Sequence, residues 1–217
     1  MYEPLRRWGI FFLGLSFMGL GVAMTTNAQL GTTPITSLPL VCAYVWHLSL
    51  GACTFGVNVL LFLAQIPLLG KKVCTRNHWL QLPSLIVFAS FIDIGMWATQ
   101  PFIPETWLLR ALMCLLGCLL LAFGVMLEIY SGTTVIPGEG LVVALAWRYK
   151  KNVGNIKVLL DSSLVLAAAL MGWLMTDSLI GIREGTLASA LLTGIFVRFF
   201  AKLCGARLNC WLTGTAQ

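Results

Sequence analysis

Apolar residues run in long stretches along this chain, and polar residues gather in the short intervals between them. Eight apolar segments follow from that pattern. Six of them, near 8–27, 52–69, 79–97, 107–128, 154–174 and 185–203, approach the roughly 20 residues that an α-helix needs to cross a bilayer. The other two, 34–48 and 137–149, would cover only about 20 Å as helices, too little to cross a hydrocarbon core of about 30 Å upright.

Composition turns this pattern into a class. The 217 residues are 59% hydrophobic and 10% charged, with a mean hydropathy of +0.89. Soluble domains carry about a quarter charged residues, so the chain reads as an all-α, polytopic membrane protein. The net charge of +6 does not point to nucleic acid. Its basic residues sit in short loops beside apolar segments: Arg6 and Arg7; Lys71, Lys72 and Arg76; Arg148, Lys150 and Lys151; Lys202 and Arg207. Loops of that kind stay on the cytoplasmic side.

Charge also decides what the short segments do. Eight crossings with the N-terminus inside would put Lys71, Lys72 and Arg76 outside, against the positive-inside bias. Six crossings plus two re-entrant helices keep both termini and every basic loop in the cytoplasm. The outer loops, 100–105 and 176–184, then carry only Glu105, Asp177, Arg183 and Glu184. The start of the chain resembles a signal peptide, but its apolar run is long enough to span and reads as the first transmembrane helix.

A repeat underlies the pattern. Residues 5–64 align without a gap on residues 108–167, an offset of 103, with thirteen identities. They include Arg7 with Arg110, Gly14 with Gly117, Gly21 with Gly124, Pro34 with Pro137 and Gly51 with Gly154. Matched Gly and Pro residues carry the most weight, because they set backbone geometry. Three crossings and one re-entrant helix per half make the second half, 104–217, inverted relative to the first, 1–103, within a single membrane domain. A transport path between the halves is the expectation for such a design.

Ionisable residues inside apolar segments are costly and mark candidate sites. Here they are Asp93, Glu128, Lys157, Asp161 and Arg198, with Glu139 on the second short helix. Lys157 and Asp161, four apart, share a helix face and read as a neutralising pair or as a coupling site. Glu139 falls near the third position after Pro137, where capping is the plain expectation. Glu128 closes a transmembrane helix, where a carboxylate is disfavoured and a proton or cation is expected to offset it. Asp93 and Arg198 hold similar places in the last helices of the two halves; they are candidates to pair, or Arg198 snorkels to the inner face. Across the repeat, Glu128, Glu139, Lys157 and Asp161 align with Thr25, Thr36, Thr54 and Asn58, so a path would have one charged and one neutral polar wall. The Thr32-Thr33-Pro34 helix start could offer N–H groups to an anion.

Motifs for catalysis are missing: the sequence has no GxSxG, HExxH or P-loop. His47 is expected to end the first short helix and His78 to lie in a cytoplasmic loop. The seven cysteines, among them Cys74, Cys204 and Cys210, include no CxxC. Cys114 and Cys118 read as small packing residues. No enzyme activity, cofactor or metal is expected.

Taken together, these residues resemble the YitT/YczE family of bacterial integral membrane proteins along most of the chain. Gly19-Leu20-Gly21-Val22 and Leu30-Gly31-Thr32-Thr33-Pro34 resemble its first-helix Gly motif and "LGxxP" turn. Pro137-Gly138-Glu139-Gly140-Leu141 is similar to its "P-x-[DE]-G-L" segment, and Gly154 through Lys157 and Asp161 to its "G-x-x-[RK]-x-x-x-[DE]" helix. Two departures stand out: Thr36 occupies a position that is often acidic, and Gln81-Leu82-Pro83-Ser84 replaces a Gly-Thr signature. The resemblance implies a multi-pass protein of the bacterial cytoplasmic membrane.

The leading expectation is a small-solute transporter or channel. Its path would be lined by Glu128, Glu139, Lys157, Asp161, Thr25, Thr36, Asn58 and Asp93, with lipid and a small solute or ion as partners. A homo-oligomer is compatible with this reading. The alternative is a non-transporting membrane anchor or assembly partner with a plugged centre.

Overall fold

The computed structural model describes residues 3–70, 76–177 and 181–213, with the backbone alone for Arg76, Asn77 and Thr213. The loop residues Lys71, Lys72 and Cys74 lie outside them. Among the described residues all regular structure is helical: α1 (Glu3–Asn27), α2 (Pro34–Trp46), α3 (Leu50–Leu69), α4 (Arg76–Trp79), α5 (Gln81–Thr99), α6 (Trp107–Ser131), α7 (Pro137–Tyr149), α8 (Val153–Thr176) and α9 (Glu184–Thr213). Six of these, α1, α3, α5, α6, α8 and α9, are long and apolar enough to cross a membrane.

Local chemistry repeats at the same offset. Pro34 and Pro137 open α2 and α7, where a missing N–H costs nothing. His47 and Lys150 end them in the left-handed conformation, each with φ 53°. Their N–H groups donate back to Ala43 O and Ala146 O. Ser49 and Asn152 then cap α3 and α8, accepting from Ala52 N and Gly154 N.

Helices outrun the apolar segments at both chain ends. Glu3 pairs with Arg7 at 2.9 Å, one turn on, and carries α1 five residues earlier than the apolar pattern does. Helix α9 continues ten residues past 203. Its end is held by Leu212, which is buried against Ile10, Met126 and Leu127, and by Arg6, whose guanidinium lies 5.0 Å from the Trp211 ring. Hydropathy finds where a helix is apolar, not where it stops.

The centre is a close antiparallel crossing of α1 and α6. A Cβ on Gly14 would lie 2.9 Å from Gly124 O, and one on Gly21 would lie 2.7 Å from Gly117 O. The same two glycines of each half therefore meet, each against the other's mate. Small residues allow such approach in an apolar medium, where packing rather than water release joins helices. Phe11, Leu15, Met18, Val22, Leu85, Phe88 and Leu121 fill the core around it.

Contacts elsewhere come in matched sets. Helix α1 lies along α5 as α6 lies along α9, and α2 packs on α8 as α3 packs on α7. The N-termini of the short helices meet, with Gly138 set against Ile35, its own mate in the repeat.

One match is broken. Helix α3 packs on α5, while among the described residues α8 and α9 make at most marginal contact. Asp93 ties α5 to the start of α3. From α5 it accepts from Ser49 Oγ at 2.7 Å and Gly51 N at 2.7 Å, capping α3. Asp93 is thus a helix cap, held by the Ser49 hydroxyl and the Gly51 N–H, and among the described residues it forms no ion pair with Arg198.

Candidate functional site

The start of α7 is held by side chains from three other helices. Gly132, with φ +62°, ends α6 and turns the chain back towards Pro137. Glu128, in the last turn of α6 and 0% exposed, accepts from Ile136 N through Oε1 at 2.7 Å. Asn58 on α3 accepts from Gly138 N at 3.1 Å while its amide donates to Thr54 O. Gln65, also on α3, donates to Pro137 O at 3.0 Å and to Gln81 Oε1 of α5, and Gln81 donates back to Gln65 Oε1 at 3.3 Å. Gly140 leaves room for this amide pair; a Cβ there would stand 3.0 Å from both glutamines. The expected cap, Glu139, is not the residue that caps: Asn58 and Glu128 already hold the nearest N–H groups.

Beside this junction opens a cleft of about 550 Å³, with Gln65, His78, Gln81, Glu128, Thr134 and Trp147 among its lining residues. Two buried groups facing it lack hydrogen-bond partners: the Oε2 atom of Glu128 and both ring nitrogens of His78. His78 sits on the single turn α4 rather than in an open loop, 4% exposed and stacked on Phe62 at 4.4 Å. Loop position did not imply exposure, because the turn folds onto α3.

Burial pushes the His78 imidazole below its ordinary value. The unfolded chain therefore binds its proton first, and this residue's contribution to stability is lost as pH falls below about 6.5. We expect the melting temperature of the purified protein to drop between pH 7.5 and 5.5. The drop should be shallower in His78→Phe, which keeps the stack; equal slopes in both proteins would assign the sensitivity elsewhere.

Four of the expected site residues come together. Lys157 Nζ lies 3.2 Å from Asp161 Oδ1 on α8. Glu139 is within electrostatic range of Glu128, Lys157 and Asp161. One cation therefore stands among three carboxylates. Asn58 joins them at the junction of the short helices.

Thr36 lies apart from them in a set of linked hydroxyls, and Thr25 bonds within its own helix. Thr25 Oγ1 donates to Val22 O. Thr36 Oγ1 lies 2.8 Å from Thr32 Oγ1 and 2.6 Å from Thr33 Oγ1. The anion site expected at this helix start is already satisfied, since Thr32 N donates to Gly181 O and Thr36 N to Thr33 O. The start of α9 covers it, with Gly185 N donating to Leu30 O at 2.8 Å.

Gln65, Gln81 and His78 were not among the expected site residues. Two uncharged amides inside apolar segments were the available signal, since a buried amide needs partners as surely as a charge does.

Comparison with known proteins places the chain in a family. A family model described as "Family of unknown function (DUF6198)" matches residues 5–202. An uncharacterized protein of Haemophilus influenzae is 29% identical over 195 residues, covering 89% of this chain and 83% of the relative. Two Bacillus subtilis proteins are each 24% identical. "Uncharacterized membrane protein YczE" aligns over 91% of this chain and 86% of its own length, and "Uncharacterized protein YyaS" over 88% and 90%. No solved structure matches. Matched over nearly its whole length, the chain belongs to the DUF6198 family and is a YczE-like bacterial membrane protein.

Proposed function

We propose that the chain is a small-solute transporter of the bacterial cytoplasmic membrane, with both termini in the cytoplasm. Its halves form an inverted repeat, and α2 and α7 are re-entrant helices whose starts meet near the midplane. Two features support the inversion: antiparallel α1 and α6 exchange equivalent glycine contacts, and Ile35 meets its mate Gly138. A two-fold axis relating antiparallel spans must run across them, in the plane of the membrane. The short helices, 13 residues each, are covered by protein on their polar ends, as irregular backbone at membrane depth requires.

One observation carries the transport reading. The two equivalent junctions differ: a cleft opens beside α7 with a buried carboxylate that keeps one oxygen unpartnered, while hydroxyls and the start of α9 close the place beside α2. That is how a carrier open to one side would look, and rocking of the halves would exchange the two. No catalytic step or cofactor enters this reading.

Cysteine accessibility tests it. In a cysteine-free background, Ala144→Cys in the cleft is expected to react with a membrane-impermeant methanethiosulfonate from the cytoplasmic side. Thr36→Cys is expected to react from the outer side, more slowly. A Thr36→Cys that stays inert under every condition would fit the rival reading, a static anchor or assembly partner, and would overturn transport.

A further inference from the structure

We propose that the cleft beside α7 takes an organic ammonium ion, its N–H groups donating to the free Oε2 atom of Glu128. The inference rests on the transport reading for the purpose of the cleft, but its test measures binding alone.

Charge selects the class. Among the described residues, Glu128 and His78 are the ionisable side chains lining the cleft. Arg7 approaches its rim near Gly132, but its guanidinium is held by Glu3 and by Ser131 O at 3.1 Å. Behind Glu128 lie Glu139 and Asp161 against the single cation Lys157, so the field in the cleft is negative when the carboxylates are ionised. An anion would meet repulsion from these carboxylates, and a cation would be drawn in.

Hydrogen bonding and size narrow it further. A fully buried carboxylate oxygen without a donor is costly, and a charged N–H donor satisfies it with a short, strong bond. Neutral His78 leaves one ring nitrogen to accept a second N–H. The volume of about 550 Å³ lies in the range of sites for small organic molecules, well beyond a bare ion. Leu69, Ile129, Val135 and Val143 supply an apolar wall for a hydrocarbon body.

The experiment uses full-length protein in dodecyl maltoside, with n-butylammonium and 2-phenylethylammonium chloride as probes. Sodium butyrate and 1-butanol, at matched ionic strength, serve as anionic and neutral counterparts. The ammonium ions are expected to raise the melting temperature by several degrees in a saturable way, and the counterparts to leave it unchanged. Glu128→Gln should weaken the ammonium effect at least tenfold, while Glu105→Gln, an exposed loop carboxylate, should not alter it. Should Glu128→Gln fold poorly, protection of Ala144→Cys from the thiol reagent by butylammonium gives the same answer with Glu128 in place. No stabilisation or protection by the ammonium ions, equal effects of butyrate or butanol, or undiminished binding in Glu128→Gln would each overturn the proposal. Ammonium binding with an inert Thr36→Cys would refute transport alone; a reactive Thr36→Cys without ammonium binding would refute the ligand class alone.

Discussion

Valine in place of Gly124 is expected to leave little folded protein. A Cβ at that position would stand 2.5 Å from Gly14 O and 2.7 Å from Met18 N, and both are backbone atoms of α1. A side chain can turn away from a clash, but a helix backbone has to move as a body. Such a movement would open the crossing along its length, where Gly14, Gly21 and Gly117 are equally crowded. Overpacking an interior commonly costs about 1–3 kcal/mol. Here the clash meets rigid backbone and valine adds two further methyl groups, so a loss above about 3 kcal/mol is expected, against a total stability of about 5–15 kcal/mol. Yield and melting temperature after extraction in detergent measure the effect. Gly56→Ala and Gly194→Ala, where a Cβ would meet nothing within 4 Å, should keep or slightly raise stability, since alanine favours helix by up to about 1 kcal/mol over glycine. A Gly124→Val protein as stable as the parent would mean that α1 and α6 do not approach each other here.

Glu128 separates folding from function. Glu128→Leu removes the acceptor of Ile136 N, leaving a buried N–H unpaired at the start of α7. The expected cost is about 1–3 kcal/mol. Glu128→Gln keeps a carbonyl oxygen for that bond and removes only the charge, so its melting temperature should stay close to that of the parent. Solute uptake by reconstituted vesicles is expected to fall at least tenfold in both variants, whatever their stability. If uptake survives in Glu128→Gln, the carboxylate serves only to hold the loop 132–136, and the transport reading loses its charged wall.

Much of this architecture was legible before any coordinates, because its signals are local. Pro34 and Pro137 start helices through their own fixed φ. The lengths of the apolar segments gave six long helices and two short ones. The pairing of Lys157 with Asp161 followed from four-residue spacing on one helix. The capping role of Asp93 has no local signal, because its donors, Ser49 and Gly51, lie more than forty residues away. The amide pair of Gln65 and Gln81 escaped notice for a related reason: a search for charges passes over neutral groups that are just as demanding once buried.

The sequence by itself determined the class, the six long and two short apolar helices and the repeated pattern, since hydropathy, proline and glycine act within a turn or two of where they stand; it did not fix where the helices end. Only the tertiary structure decided that two equivalent junctions differ. Hydroxyls satisfy one another beside α2, while beside α7 Glu128 keeps a free oxygen in a cleft. Whether a buried polar group is satisfied depends on which distant helices face it, and that is a property of packing rather than of position along the chain.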